Sequence, residues 1–117
     1  MSVFSWNCRG LGSPNAVPNL KYLIEYYSPT ILFLSETLVH RNKIEEFRYV
    51  LSFDSCFSVD RVGRGGGLAL YWRSFINCQI VDYSNNIHII VEILDDEKGY
   101  YGYLNGGWRR SAWHFIC

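Results

Sequence analysis

Apolar and polar positions along the 117 residues change period several times. Val3, Phe4 and Trp6 lie in a short strand-like run that stops at Asn7-Cys8-Arg9-Gly10. Ser13-Pro14 reads as a helix start, with Ser13 as the cap and Pro14 at the first helical position, where a missing N–H costs nothing. Val17, Leu20, Leu23 and Ile24 recur at helical spacing, Tyr27 lies one turn on, and Pro29 ends the pattern. Residues 30–36, TILFLSE, are apolar until Ser35-Glu36, as in a strand buried on both faces. A second helix is predicted over residues 43–51. Ile44, Phe47, Val50 and Leu51 form its stripe, while Glu45, Glu46 and Arg48 face water.

Strand signals dominate from there on. Residues 53–59, FDSCFSV, alternate. RVGRGGG, residues 61–67, is a loop, and LALYW, residues 68–72, is a buried strand. NCQIVDY and IHIIVEIL flank Ser84-Asn85-Asn86 and predict a hairpin. Asp95-Asp96-Glu97-Lys98-Gly99 is a second turn. Residues 100–117 predict a strand, a Gly-rich turn and the start of a helix. Two βα units followed by strands specify a layered α/β fold with a mixed sheet.

Composition narrows the class without naming an activity. The length allows one domain. A hydrophobic share of 49% and an aromatic share of 17% describe a globular chain. With 11 basic and 11 acidic residues the formal charge is zero. A global electrostatic case for a polyanionic partner is therefore absent, although a local patch stays open. Cys8, Cys56, Cys78 and Cys117 form no CxxC pair, which removes support for zinc or thioredoxin-type chemistry. No basic start followed by an apolar stretch marks a secretory signal, and no apolar run is long enough to span a bilayer. The expectation is a reducing intracellular compartment with packing cysteines.

Two polar residues stand at equivalent places. Asn7 ends the first strand and Glu36 the second. If those strands run parallel in one sheet, both residues reach the carboxyl edge, where open α/β sheets bind ligands. A carboxylate beside an amide suits Mg²⁺, which prefers oxygen donors. The competing reading makes Asn7 a turn residue and Glu36 a cap or surface carboxylate. GRGGG, residues 63–67, is a weak phosphate-loop signal, because a strand follows the glycines where a helix should. A hairpin or bulge loop is the alternative, and Arg61 and Arg64 remain candidate phosphate contacts. His40, His88 and His114 form no metal-binding pattern, and no serine sits in G-x-S-x-G. His88 is expected to pack half-buried in the hairpin.

WNCRGLGS from Trp6, ILFLSET ending in Glu36-Thr37, and RVGRGGGLALYW occur in this order. Together they resemble the endonuclease/exonuclease/phosphatase superfamily, and within it the apurinic-type endonuclease domain of plant non-LTR (LINE-type) retrotransposons. The resemblance implies the N-terminal part of a four-layered α/β sandwich with mixed β-sheets, truncated, as one partial domain over residues 1–117. It implies a DNA endonuclease cleaving phosphodiester bonds with Mg²⁺ (or Mn²⁺) as cofactor and DNA as partner. By residue, it implies that Asn7 is catalytic and organises the metal, that Glu36 binds the metal, and that Tyr101 lies near the scissile phosphate. Leu104 stands where the family usually has proline. Arg61 and Arg64 stay the candidate nucleic-acid contacts from the residues themselves, and with Arg109 and Arg110 they would grip nucleic acid in a binding module.

The family's Asp and His base, with a further Asp and Asn, belong to the second half of its domain and find no counterpart here. His114 falls in RRSAWHF, which resembles a mid-domain helix. Gly99 running straight into Tyr100-Tyr101 suggests a small internal deletion. A retrotransposon-derived endonuclease fragment with little or no activity is expected. The alternatives are a non-catalytic nucleic-acid-binding module and a non-functional gene remnant. A nuclear site follows from the family, and no membrane role is expected. Half a sandwich would also leave Val3, Ile31, Phe33, Leu68 and Leu70 on an uncovered sheet face, requiring the remainder of a polyprotein or another chain to cover it.

Overall fold

The computed structural model describes residues 2–60, 66–84, 88–95, 98–105 and 110–114. In chain order the elements are β1 (Ser2–Asn7), α1 (Ala16–Tyr27), β2 (Ile31–Ser35), α2 (Arg41–Leu51), β3 (Ser55–Val59), β4 (Leu68–Trp72), β5 (Asn77–Ser84), β6 (His88–Asp95), β7 (Lys98–Asn105) and β8 (Arg110–His114). They form a five-stranded sheet of order β3-β4-β2-β1-β8 and a three-stranded sheet of order β5-β6-β7. Within the first sheet β1 and β2 are parallel, as the intervening α1 requires. β8, β4 and β3 join antiparallel. The second sheet is an antiparallel meander with a bulge in β5 between Ile80 and Asp82.

Strand alternation sorts the side chains into two cores. Phe4, Leu32, Leu34, Ala69 and Tyr71 face the helices and pack on Leu20, Ile24, Ile44, Leu51 and Phe53. Val3, Ile31, Phe33, Leu68 and Leu70 face the other way and pack on Ile89, Val91, Ile93 and Leu104 of the second sheet. The result is three layers, helices on a sheet on a sheet. β2 is the central strand, which explains its uninterrupted apolar run: all five of its residues are buried. Each fully buried Leu, Ile or Phe contributes about 1.5–3 kcal/mol relative to exposure.

The inner face expected to be stranded is therefore covered. Its five residues are at most 1% exposed. The hairpin and β7 supply the second layer from within this chain, because Ile89, Val91 and Ile93 alternate along β6 toward the first sheet.

Three local expectations are corrected. α1 begins at Ala16, with Asn15 at the cap position and no side-chain cap bond. The Ser13 hydroxyl instead donates to the Gly10 carbonyl at 3.1 Å. Pro18 falls within the first helical turn, where no intrahelical N–H bond is lost. α2 starts two residues early because His40 caps it, its Nδ1 accepting from the Asn42 N–H at 3.3 Å. Residues 110–114, read as a helix start, form β8 along the free edge of β1. An unpaired strand edge offers backbone donors and acceptors that a neighbouring segment satisfies by extending. His114 thus sits in a strand, opposite Ser2.

Tyr71 ties the layers together: its hydroxyl donates to the Ile44 carbonyl at 2.8 Å. His88 is half-buried as expected, with Nδ1 2.9 Å from Ser84 Oγ and its ring stacked on Tyr103. Among the described residues no helix is long and apolar enough to cross a membrane.

Candidate active-site edge

Asn7, Ser35, Leu68 and Val59 lie in one row across β1, β2, β4 and β3. The row marks an edge where three strands end and β4 begins. Backbone pairing continues past it. The Cys8 N–H donates to the Ser35 carbonyl at 3.0 Å, Gly10 N–H to Glu36 at 2.8 Å and Leu11 N–H to Thr37 at 2.8 Å. On the other side the Thr37 N–H donates to the Gly67 carbonyl at 3.2 Å and the Leu38 N–H to Gly66 at 3.1 Å. The segment leaving β2 is thereby held between the exit of β1 and the entrance of β4.

The backbone at this edge is strained. Arg9, Glu36 and Leu38 have φ of 48°, 50° and 56° without being glycine. Ser28 and Ser52, the other described non-glycine residues with positive φ, are helix C-caps, where that conformation is routine. Left-handed conformations elsewhere persist only when the surroundings impose them, and they gather at functional sites.

Glu36, one residue past β2, is exposed, and its carboxylate has no hydrogen bond or ion pair among the described residues. Asn7 is half-buried, and its Oδ1 accepts from the Arg9 N–H at 3.1 Å. Asn7 is thus a turn residue in fact, yet that oxygen keeps a second lone pair and the amide nitrogen its donors. The two residues stand at adjacent parallel strand ends, as the pattern predicted.

Cys8, which follows Asn7, is buried, and its thiol lies 3.1 Å from the Ser35 carbonyl. Burial pushes that thiol up to about 12, and the Glu36 charge adds to the rise. Cys8 is consequently a packing residue and not a nucleophile. The hydroxyls of Ser5, Ser35 and Thr37 are buried without a hydrogen-bond partner among the described residues.

Tyr101 belongs to the second sheet. It lies on β7 opposite Glu92, with 71% of its surface exposed. Gly102 and Leu104 alternate with it and are buried, so the Tyr101 ring stands on the outer face of the second sheet. No hydrogen bond or ring contact joins it to Asn7 or Glu36 among the described residues. Leu104 fills the inter-sheet core. Arg61 and Arg64 fall outside the described residues.

The sequence reading missed a pair at this end of the sheet. His40 Nε2 is 3.7 Å from Asp60 Oδ2, and Asp60 Oδ1 accepts from the Arg41 N–H at 2.9 Å. Nδ1 is engaged by the Asn42 N–H, while Nε2 faces the Asp60 carboxylate from beyond hydrogen-bond distance, and both side chains are exposed. The spacing of a polar cap residue two before Asn42 was the available signal.

The donor set suits a hard divalent cation: a carboxylate and an amide oxygen on neighbouring strand ends, the carboxylate unpaired. Among the described residues no group of three or more His, Cys, Asp and Glu side chains gathers to hold a metal. Mg²⁺ is held by one or two carboxylates with waters and phosphate oxygens completing its shell, so the donor chemistry fits.

No family model matches the chain, and no curated protein does. Solved structures do. The Neisseria 3′ phosphatase NExo bound to a product DNA hairpin matches with a TM-score of 0.58 at 17% identity, over 86% of this chain and 40% of that one. TDP2 from D. rerio, complexed with single-strand DNA product, matches with a TM-score of 0.60 at 18% identity, over 88% and 44%. The AP endonuclease LMAP from Leishmania major matches with a TM-score of 0.62 at 13% identity, over 89% and 39%. The chain spans less than half the length of each. The chain shares the α/β fold of these DNA-processing enzymes.

Proposed function

We propose that residues 1–117 supply the metal-holding strand-end part of a Mg²⁺- or Mn²⁺-dependent phosphodiesterase that acts on DNA. The observation that carries the reading is the parallel register placing Asn7 and Glu36 on neighbouring strand ends, with Glu36 strained, exposed and unpaired among the described residues. In this reading the Glu36 carboxylate and the Asn7 amide oxygen hold the cation. Such a cation neutralises phosphate charge and stabilises the leaving oxygen. Arg61 and Arg64 are the phosphate contacts in this reading. The motif order supports descent from a LINE-type retrotransposon endonuclease.

Hydrolysis also needs a base for the attacking water. The chain spans less than half the length of its structural neighbours, and the resemblance assigns that base to the second half of the family's domain. We therefore expect the 117-residue chain alone to show no more than trace nuclease activity. The same observation favours a second reading, a module that binds nucleic acid without cutting it.

Nicking of supercoiled DNA with Mg²⁺, beside a Glu36→Ala variant, tests both. Trace nicking that disappears in the variant supports the first reading. Robust turnover that survives the variant refutes the role given to Glu36. Binding without nicking, lost as salt rises, favours the second reading.

A further inference from the structure

We propose that Gly67 and Thr37 are positioning residues for Glu36: Thr37 packs into the space left by the missing side chain of Gly67, and this contact fixes the left-handed turn that carries the Glu36 carboxylate. The functional value of that turn rests on the metal reading above; the geometry does not.

Glu36 and Leu38 both adopt positive φ, at 50° and 56°, on either side of Thr37. Two such residues within three, neither a glycine, form a turn that local preference opposes. Something outside the segment must therefore impose it. The Glu36 and Thr37 carbonyls accept from the Gly10 and Leu11 N–H groups on the β1 side. The Thr37 and Leu38 N–H groups donate to Gly67 and Gly66 on the β4 side. Those bonds fix the backbone at its flanks, and the Thr37 side chain fixes the centre.

Thr37 is 1% exposed, and its Oγ1 has no hydrogen-bond partner among the described residues. A buried hydroxyl without a partner is unfavourable, so hydrogen bonding does not explain its placement. Shape does. A Cβ on Gly67 would run into Thr37 Oγ1 and lie 3.3 Å from the Leu38 nitrogen. Gly67 itself has φ +95°, where a side chain is strained. The glycine at the entrance of β4 thus admits Thr37, and Thr37 fills the space. On the opposite side a Cβ at Gly10 would meet Leu38 Cδ1 at 3.6 Å, an ordinary contact, so the tight fit is confined to Gly67.

The experiment uses the ¹⁵N-labelled 117-residue chain and four variants: Gly67→Ala, Thr37→Ala, the double variant and Thr37→Ser. Amide hydrogen exchange is read at Gly10, which donates to Glu36, and at Leu38. Mn²⁺ affinity is read by water relaxation. Gly67→Ala should speed exchange at both amides at least tenfold while Val91 and Ile93 in β6 keep their protection. Its Mn²⁺ affinity should fall at least tenfold. Adding Thr37→Ala to Gly67→Ala should recover part of both losses, because the new methyl takes the space of Oγ1. Should Gly67→Ala not fold, the threonine variants decide: Thr37→Ala should loosen the two amides several-fold, and Thr37→Ser, which keeps Oγ1, should not. Unchanged exchange at Gly10 and Leu38 in Gly67→Ala, or equal exchange in the alanine and serine variants of Thr37, overturns the proposal. If the native chain binds no Mn²⁺ but the exchange pattern holds, the positioning contact stands and the metal reading fails.

Discussion

Phe33→Ala separates a closed sandwich from an open sheet. Phe33 is 0% exposed and lies at the middle of β2, on the face that meets Ile89, Val91 and Ile93. An aromatic side chain enclosed by two sheets loses its transfer free energy and leaves a cavity when truncated, for a cost of about 3–5 kcal/mol. Were that face open to water, one side of the ring would already be hydrated and the loss would drop to about 1 kcal/mol or less. At roughly 3–5 °C per kcal/mol for a domain of this size, the closed structure predicts a Tm lower by about 9–25 °C. Urea unfolding followed by circular dichroism gives the free energy directly. Tyr101→Ala is the matched control, because its ring is 71% exposed. It should change stability by no more than about 0.5 kcal/mol. A Phe33→Ala cost below about 1 kcal/mol, with an unchanged denaturant slope, would refute the covered inner face.

Tyr71→Phe removes the 2.8 Å bond to the Ile44 carbonyl and should cost about 1 kcal/mol in the same assay, with the fold intact by circular dichroism. The Cys8 thiol is raised by burial from 9.0 to about 12, so its contribution to stability is complete below about 9 and is lost as pH climbs toward about 12. Equilibrium unfolding across that window should show the loss, and Cys8→Ala should lessen it, leaving the part that Cys56 and Cys78 contribute. Native Cys8 should resist alkylation at pH 8 and react in urea, by mass spectrometry. Glu36→Gln should weaken Mn²⁺ binding by at least about tenfold without lowering Tm, since the carboxylate has no partner among the described residues whose loss would destabilise the fold.

The succession of elements was legible in the sequence because period is a local property. β2, α2 and β4 announced themselves by pattern and composition, and β4 matches its predicted span residue for residue. Asn7 and Glu36 were legible as strand ends, and one condition, parallel pairing, was enough to bring them together. The pattern also carried the second layer, since Ile89, Val91 and Ile93 alternate plainly along β6. What it could not say is where that alternating face docks, because a strand's apolar side does not name its partner.

Tertiary structure alone decided the rest. Residues 110–114 became a strand because β1 offered an open edge, a fact over a hundred residues away in the chain. Tyr101 went to an outer face because its neighbours Gly102 and Leu104 turn inward. The left-handed turn at Glu36 exists because Gly67, more than thirty residues on, leaves room for Thr37. The sequence determined which residues could carry chemistry; distant backbone contacts determined the conformation in which Glu36 is held, since strain at one position persists only when others impose it.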